Sequence, residues 1–306
     1  MARPRSTATA RIRVGVVQFD PKLGQPERNQ QRVEQLVDNA GADLKDTLDV
    51  LVLPEMALSG YVFRSPDAVR PFLENSRDGR TTTLARSLAR RLGCTVVAGY
   101  PQQLEDGEKH EQHQVGANAA VVSGRDGEIK TTYRKTNMYD VDLAWCVPGT
   151  GFKTFDLRLS DSRSIRVALG ICMDLNPDRD RDTPAWTYED GPFELADFVI
   201  QQNARILILI NAWLSSEQTA LDVAKKDKYD EGTVKYWVAR LDPLWDKTKG
   251  DRAVIIANRC GEEDGVHFAG SSVVLRYSAA KDRVSIIQVL GRGEEAVLRC
   301  SVTLEV

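Results

Sequence analysis

Apolar residues along this chain cluster in short runs separated by longer polar stretches with helical spacing. IRVGVVQF at 12–19 is β-branched and nearly continuous, the pattern of a buried strand. The polar segment from Pro26 to Gly41 then spaces Val33, Leu36 and Val37 as one face of a helix. LDVLVLPE at 48–55 predicts a second strand ending in a carboxylate, Thr82 to Leu92 a helix, and TVVAGY at 95–100 a third strand. Gln102 to Gln114 is polar and predicts an exposed loop, and GANAAVVSGRDGEIKTTYRK at 116–135 predicts a hairpin about the Gly124 to Gly127 turn.

The order repeats further on. SIRVALGICMD at 164–174 predicts a strand, FELADFVIQQNA at 193–204 a helix, and RILILINAW at 205–213 a strand with too little alternation to face water on either side. A helix over Thr233 to Trp245 and strands at AVIIANR, SSVVLRY and SIIQVLG follow. Strand–helix alternation of this kind belongs to a layered α/β fold. No Pro/Gly/Ser-rich linker divides the chain, so the recurrence predicts two related halves in one domain, residues 12–306, behind a flexible arm at 1–11.

Composition narrows the function classes. Hydrophobic residues at 42% and charged residues at 28% are the balance of a folded globule rather than a disordered chain. A formal charge of −3 gives no electrostatic reason to expect nucleic acid or an anionic membrane as partner. The longest apolar run, around Ile206 to Ala212, is far short of the roughly 20 residues that span a bilayer. The arm carries Arg3, Arg5 and Arg11 without the apolar stretch of a secretory signal. Five dispersed cysteines, with no CxxC pair, fit free thiols in a reducing compartment: the cytoplasm first, with nucleus and mitochondrion also open. Three scattered histidines and no HExxH give no reason to expect a metal or other cofactor.

Chemistry in open α/β sheets collects at the carboxyl ends of strands. Glu55 closes LVLPE, Cys172 closes VALGIC, and Lys135 follows the hairpin strand in TTYRK. Singly, each has an ordinary reading: a cysteine there is usually a small buried hydrophobe, and Glu and Lys are usually solvated. Together, LVLPEMALSGY (51–61), YRKTNMYD (133–140) and LGICMDLNP (169–177) resemble, in the correct order, the three catalytic words of the nitrilase superfamily of carbon-nitrogen hydrolases. The resemblance runs from VGVVQFDP at 14–21 to HFAGSSVV at 267–274. Within the superfamily, MALSGYVF, MDLNP and NRCGEEDGVHFAGSS are most similar to the protein N-terminal amidase branch.

That resemblance implies a four-layer αββα sandwich, with Cys172 as nucleophile, Glu55 as proton carrier and Lys135 as the third triad member. It implies an oxyanion site completed by the Met173 amide, substrates that are protein or peptide N-termini bearing Asn or Gln, and a homodimer. The products would be N-terminal Asp or Glu and ammonia, which feed the N-degron pathway. A small-molecule ω-amidase, a carbamoyl-amine hydrolase and a nitrilase would use the same three residues, and an inactive nitrilase-like scaffold is a reading from another class. Relatives carry a second structural glutamate about eight positions past the lysine, where this chain has Leu143. Asp142 beside it either takes over that task or is a solvated loop residue. Asn211 and Trp213 are candidates for the substrate pocket, or else a turn residue and a core aromatic. An N-terminal substrate brings an α-ammonium, and Asp174, Glu262, Glu263 and Asp264 are the acids expected to receive it.

Overall fold

The structure is a computed structural model that describes residues 9–41, 44–108, 110–178, 187–216 and 227–305. Strand β1 (Thr9–Gln18) leads to helix α1 (Pro26–Asn39), β2 (Val50–Val52), the short helix α2 (Pro66–Val69), α3 (Arg80–Leu92), β3 (Thr95–Gln103) and the hairpin β4 (Gly116–Ser123) and β5 (Ile129–Arg134). The one-turn helix α4 (Asp140–Leu143) joins this half to β6 (Lys153–Arg158) and β7 (Ser164–Ile171). Then come α5 (Glu194–Gln201), β8 (Ile206–Asn211), α6 (Glu231–Arg240), β9 (Arg252–Asn258), the small pair β10 (Glu262–Glu263) and β11 (Val266–His267), β12 (Val273–Ser278), β13 (Arg283–Val289) and β14 (Ala296–Glu305).

Two six-stranded sheets result, ordered β14-β1-β2-β3-β4-β5 and β13-β12-β9-β8-β7-β6. In each, three consecutive strands run parallel: β1, β2 and β3 in one, β7, β8 and β9 in the other. In each, antiparallel strands complete both sides, with β14 beside β1 matched by β6 beside β7. The two halves are therefore related in topology, and β14, last in sequence, returns to close the first sheet.

Side-chain alternation explains the layers. Val14, Val16, Val50 and Val52 of the first sheet meet Val167, Leu169, Ile206 and Ile208 of the second in a dry core between the sheets. The opposite faces pack on helices, Leu51 and Val96 against Leu36 and Leu88 of α1 and α3, and Leu207 and Leu209 against Leu195 and Trp237 of α5 and α6. This is the expected αββα sandwich, in which one inter-sheet core makes the halves a single domain. A buried ionic knot also ties them. Asp49 accepts from Arg13, from Arg125 at 2.8 Å and from the Ser160 amide at 2.8 Å.

The structure corrects several boundaries. The expected strand at 48–55 is only Val50–Val52, because Pro54 has no N–H to offer the sheet and the chain turns away after Leu53 bonds Val97. The strand expected over 164–174 ends at Ile171, and Cys172–Leu175 is a 3-10 turn. The helix expected to run to Trp245 ends at Arg240, with a 3-10 turn at Asp242–Leu244 after it. Strands β6 and β14 had no prediction. β6 is a sheet edge whose alternate residues face water, so few apolar positions mark it. Residues 1–8 of the expected arm lie outside the described residues, while Thr9, Ala10 and Arg11 already pair with β14. Among the described residues no helix is long and apolar enough to cross a membrane.

Candidate active site

The parallel strands of both sheets end on the same side of the molecule, and the three expected catalytic residues meet there. Glu55 lies in the turn after β2, Lys135 one residue after β5, and Cys172 directly after β7. All three are buried. Lys135 Nζ donates to Glu55 Oε1 at 2.8 Å and to Asp142 Oδ2 at 2.6 Å. Glu55 Oε2 accepts from the Ala212 amide at 2.6 Å. The base and the ammonium thus come from one half of the fold and the thiol from the other.

Local backbone geometry presents each group. Cys172 has φ +45° and Met56, next to Glu55, has φ +50°. A non-glycine residue there costs about 1–3 kcal/mol, which the surroundings must over-determine. At Cys172 they do so through hydrogen bonds. Its amide donates to Asn211 Oδ1 at 3.1 Å, and Asp174 accepts from the Ile171 amide at 2.7 Å across the bend. At Glu55 they do so through close approach. A Cβ on Gly99 of β3 would sit 2.7 Å from the Glu55 Cα, so glycine lets this turn lie against the sheet.

Burial dominates the electrostatics. It pushes the Cys172 thiol well above its ordinary value, Glu55 adds to that shift, and Lys135 opposes it. Burial also raises Glu55, with Lys135 lowering and Asp142 raising it further. For Lys135, burial works against the charge, but Asp142 and Glu55 outweigh it and hold the ammonium well above its usual value. The site therefore keeps a permanent cation between two carboxylates and a neutral thiol beside a carboxylate of raised basicity. A general base poised in this way can take the thiol proton when an electrophile arrives.

Asp142 is no solvated loop residue. It is fully buried and accepts from Lys135, from Asn118 at 3.0 Å and from the Tyr139 amide at 3.0 Å. Leu143 itself points outward, 47% exposed. A cavity of about 220 Å³ opens on Cys172, lined by Tyr139, Met173, Asn176, Ala212, Trp213 and Leu214. Trp213 is a pocket wall, its ring tilted by 43° against Tyr236 at 5.5 Å between centroids, and Asn211 supports Cys172 by accepting from its amide.

The acids expected to meet an α-ammonium are placed elsewhere. Asp174 is buried and committed to the Tyr133 hydroxyl and the Thr136, Asn137 and Ile171 amides, with burial pushing its carboxyl up to about 6. Glu263 accepts from the Tyr61 and Val62 amides and pairs with buried Arg259, which pins the loop after Glu55 to the second half. Asp264 pairs with Arg64 at the surface, and Glu262 is exposed beside His267. Among the described residues none of these four lines the cavity.

The sequence reading missed Asn118, Tyr61 and Asn176. Asn118 bridges Glu55 and Asp142, Tyr61 lays its ring 5.5 Å from Lys135 Nζ, and Asn176 accepts from Tyr236 at the pocket wall. Asn118 had a usable signal: an amide inside the apolar run GANAAVV must be hydrogen-bonded if that strand is buried.

Comparison with known proteins agrees with this geometry. The profile of the carbon-nitrogen hydrolase family matches residues 13–179. A protein N-terminal amidase of Schizosaccharomyces pombe is 30% identical over 88% of this chain and 93% of its own length. A protein N-terminal amidase of Saccharomyces cerevisiae is 28% identical over 67% of this chain, which spans 45% of that protein. A nitrilase of Pyrococcus abyssi is 26% identical over 94% of this chain and 87% of its own. The crystal structure of an N-terminal amidase superposes with a TM-score of 0.81 at 20% identity, covering 97% of this chain and 99% of the other. The chain belongs to the carbon-nitrogen hydrolase family.

Proposed function

We propose that this protein is a thiol-dependent amidohydrolase that converts N-terminal Asn and Gln of proteins or peptides to Asp and Glu with release of ammonia, the step that feeds an N-degron pathway. The chemistry rests on one observation above all: Glu55 and Lys135 form a buried hydrogen-bonded pair beside Cys172, and Cys172 opens on a small cavity. The substrate class rests on the similarity to the Schizosaccharomyces pombe N-terminal amidase over most of both chains.

The steps follow from the donors and acceptors present. Glu55 takes the Cys172 proton as sulfur bonds to the amide carbon, and the carbonyl π pair moves onto oxygen. Lys135 has three N–H donors, of which Glu55 and Asp142 engage two, leaving one for that oxyanion. The Met173 amide, at the start of the 3-10 turn, is the second donor. As the C–N bond breaks, Glu55 returns its proton to nitrogen and ammonia leaves a thioester. Glu55 then takes a proton from water as its oxygen attacks the thioester, and as the C–S bond breaks Glu55 returns that proton to sulfur, which frees the acid and the Cys172 thiol. The side-chain amide of Asn or Gln suits a cavity of about 220 Å³. The α-ammonium of an N-terminal residue would meet the Trp213 ring and the amide oxygen of Asn176 at the wall.

Ammonia release from peptides that differ only at residue one tests the assignment. Free N-terminal Asn and Gln peptides should react, while N-acetylated peptides and those with internal Asn should not. Equal rates on acetylated and free peptides would remove the N-terminal assignment and leave the amide hydrolase.

A further inference from the structure

Asn118 stands in β4, fully buried, where its neighbours along the strand are small and apolar. Its Nδ2 is 2.7 Å from Glu55 Oε1 and 3.0 Å from Asp142 Oδ1. The orientation is forced, because a flipped amide would aim its oxygen at two carboxylates. Each N–H of the amide therefore serves one carboxylate. Asn118 Oδ1 has no partner among the described residues, so no bond to that oxygen selects this orientation.

The two oxygens of Glu55 are then unequal. Oε1 accepts from both Asn118 and Lys135, which fills its lone-pair directions. Among the described residues Oε2 accepts only from the Ala212 amide. Oε2 is thus the Glu55 oxygen with an open lone pair, and the Ala212 N–H that it accepts from also favours the Cys172 thiolate. We infer that Asn118 is a positioning residue that saturates Glu55 Oε1 and so confines the travelling proton to Oε2. The S–H bond of Cys172 breaks as Oε2–H forms. Later Oε2–H breaks as the N–H bond of departing ammonia forms, and the carboxylate is restored. This inference rests on the Cys172–Glu55 chemistry proposed above and not on the identity of the peptide.

The ionisable groups around Glu55 are Lys135, Asp142 from α4, Tyr61 from the loop after β2, Cys172 after β7, and Cys146. Substituting Asn118 leaves all of them in place and removes one donor from the charged form of Glu55. Glu55 should then hold its proton to higher pH. The test follows alkylation of Cys172 by iodoacetamide across pH, read by peptide mass mapping, and needs no substrate. In Asn118→Ala the midpoint of the rate profile should move up by about one to two pH units, the size of one lost charge-assisted hydrogen bond. The isosteric Asn118→Asp, which can give only one O–H to the two carboxylates, should move it in the same direction. With an amide substrate, kcat should fall more than KM changes. A purely structural role would lower the melting temperature and leave the midpoint in place. An unchanged midpoint in either folded variant would overturn the inference. If the peptide assignment alone is wrong, the alkylation profile still shifts.

Discussion

Replacing Asp142 by Asn tests the electrostatic design of the site, because the change is nearly isosteric and removes one charge from a buried cluster. Asp142 accepts from Lys135 at 2.6 Å and from Asn118 at 3.0 Å. An amide at this position can turn its oxygen to only one of those donors and must set its own N–H₂ against the other. Each hydrogen bond to a charged group is worth ~1.5–3 kcal/mol, so one such bond lost and a donor set against a donor in its place cost up to ~3–6 kcal/mol. The Glu55–Lys135 pair at 2.8 Å remains balanced, with no charge left unpaired, which favours the low end, ~3 kcal/mol. That corresponds to a fall in melting temperature on the order of 5–10 °C. Lys135 keeps one of its two anchors, so kcat should fall by ~10- to 100-fold, less than the loss expected on removing an oxyanion donor outright. The pH profile gives the sign. The Asp142 carboxylate raises Glu55, so its removal lets Glu55 ionise at lower pH and moves the acid limb of kcat/KM down, opposite to the Asn118 variants. Ammonia release from an N-terminal Asn peptide between pH 5 and 9 is the assay. An acid limb that moves up, or activity within twofold of the parent, would refute the reasoning.

Cys172→Ala and Cys172→Ser should abolish turnover without lowering the melting temperature by more than a few degrees, whereas Cys94→Ala and Cys260→Ala should leave kcat within about twofold. Glu55→Gln and Lys135→Ala should each cost at least ~10²-fold in kcat, and the double variant should resemble the worse single one, since both act on the same steps. Multiplicative losses would count against a shared site. Asp49→Ala should unpair Arg13 and Arg125 at the seam of the two halves, destabilising the protein by ~3–5 kcal/mol in denaturant unfolding with little effect on kcat of the folded fraction.

The sequence made the strands that carry chemistry easy to read, because strands buried on both faces leave near-continuous apolar runs, and Glu55 and Cys172 sit just past two of them. Edge strands leave a weaker mark, which is why β6 and β14 went unseen. Asp142 could be named but not placed, since a carboxylate in a polar loop looks the same whether it faces water or Lys135. The four acids nominated for the α-ammonium lie away from the cavity for a related reason. Proximity in sequence to Cys172, as for Asp174, says nothing about which way a side chain points after a bend at φ +45°. Three backbone amides and the Tyr133 hydroxyl had already claimed that carboxylate.

The central claim is that Cys172 carries the acyl group of an N-terminal residue. It is tested most directly by acid-quenching the enzyme during turnover of an N-terminal Gln peptide and measuring the intact and digested protein by mass spectrometry. The account predicts an adduct with the mass of the peptide less ammonia, confined to Cys172, labile to hydroxylamine, and absent with the N-acetylated peptide. Ammonia release with no adduct on Cys172 under conditions that slow deacylation, or an adduct on another residue, would contradict it.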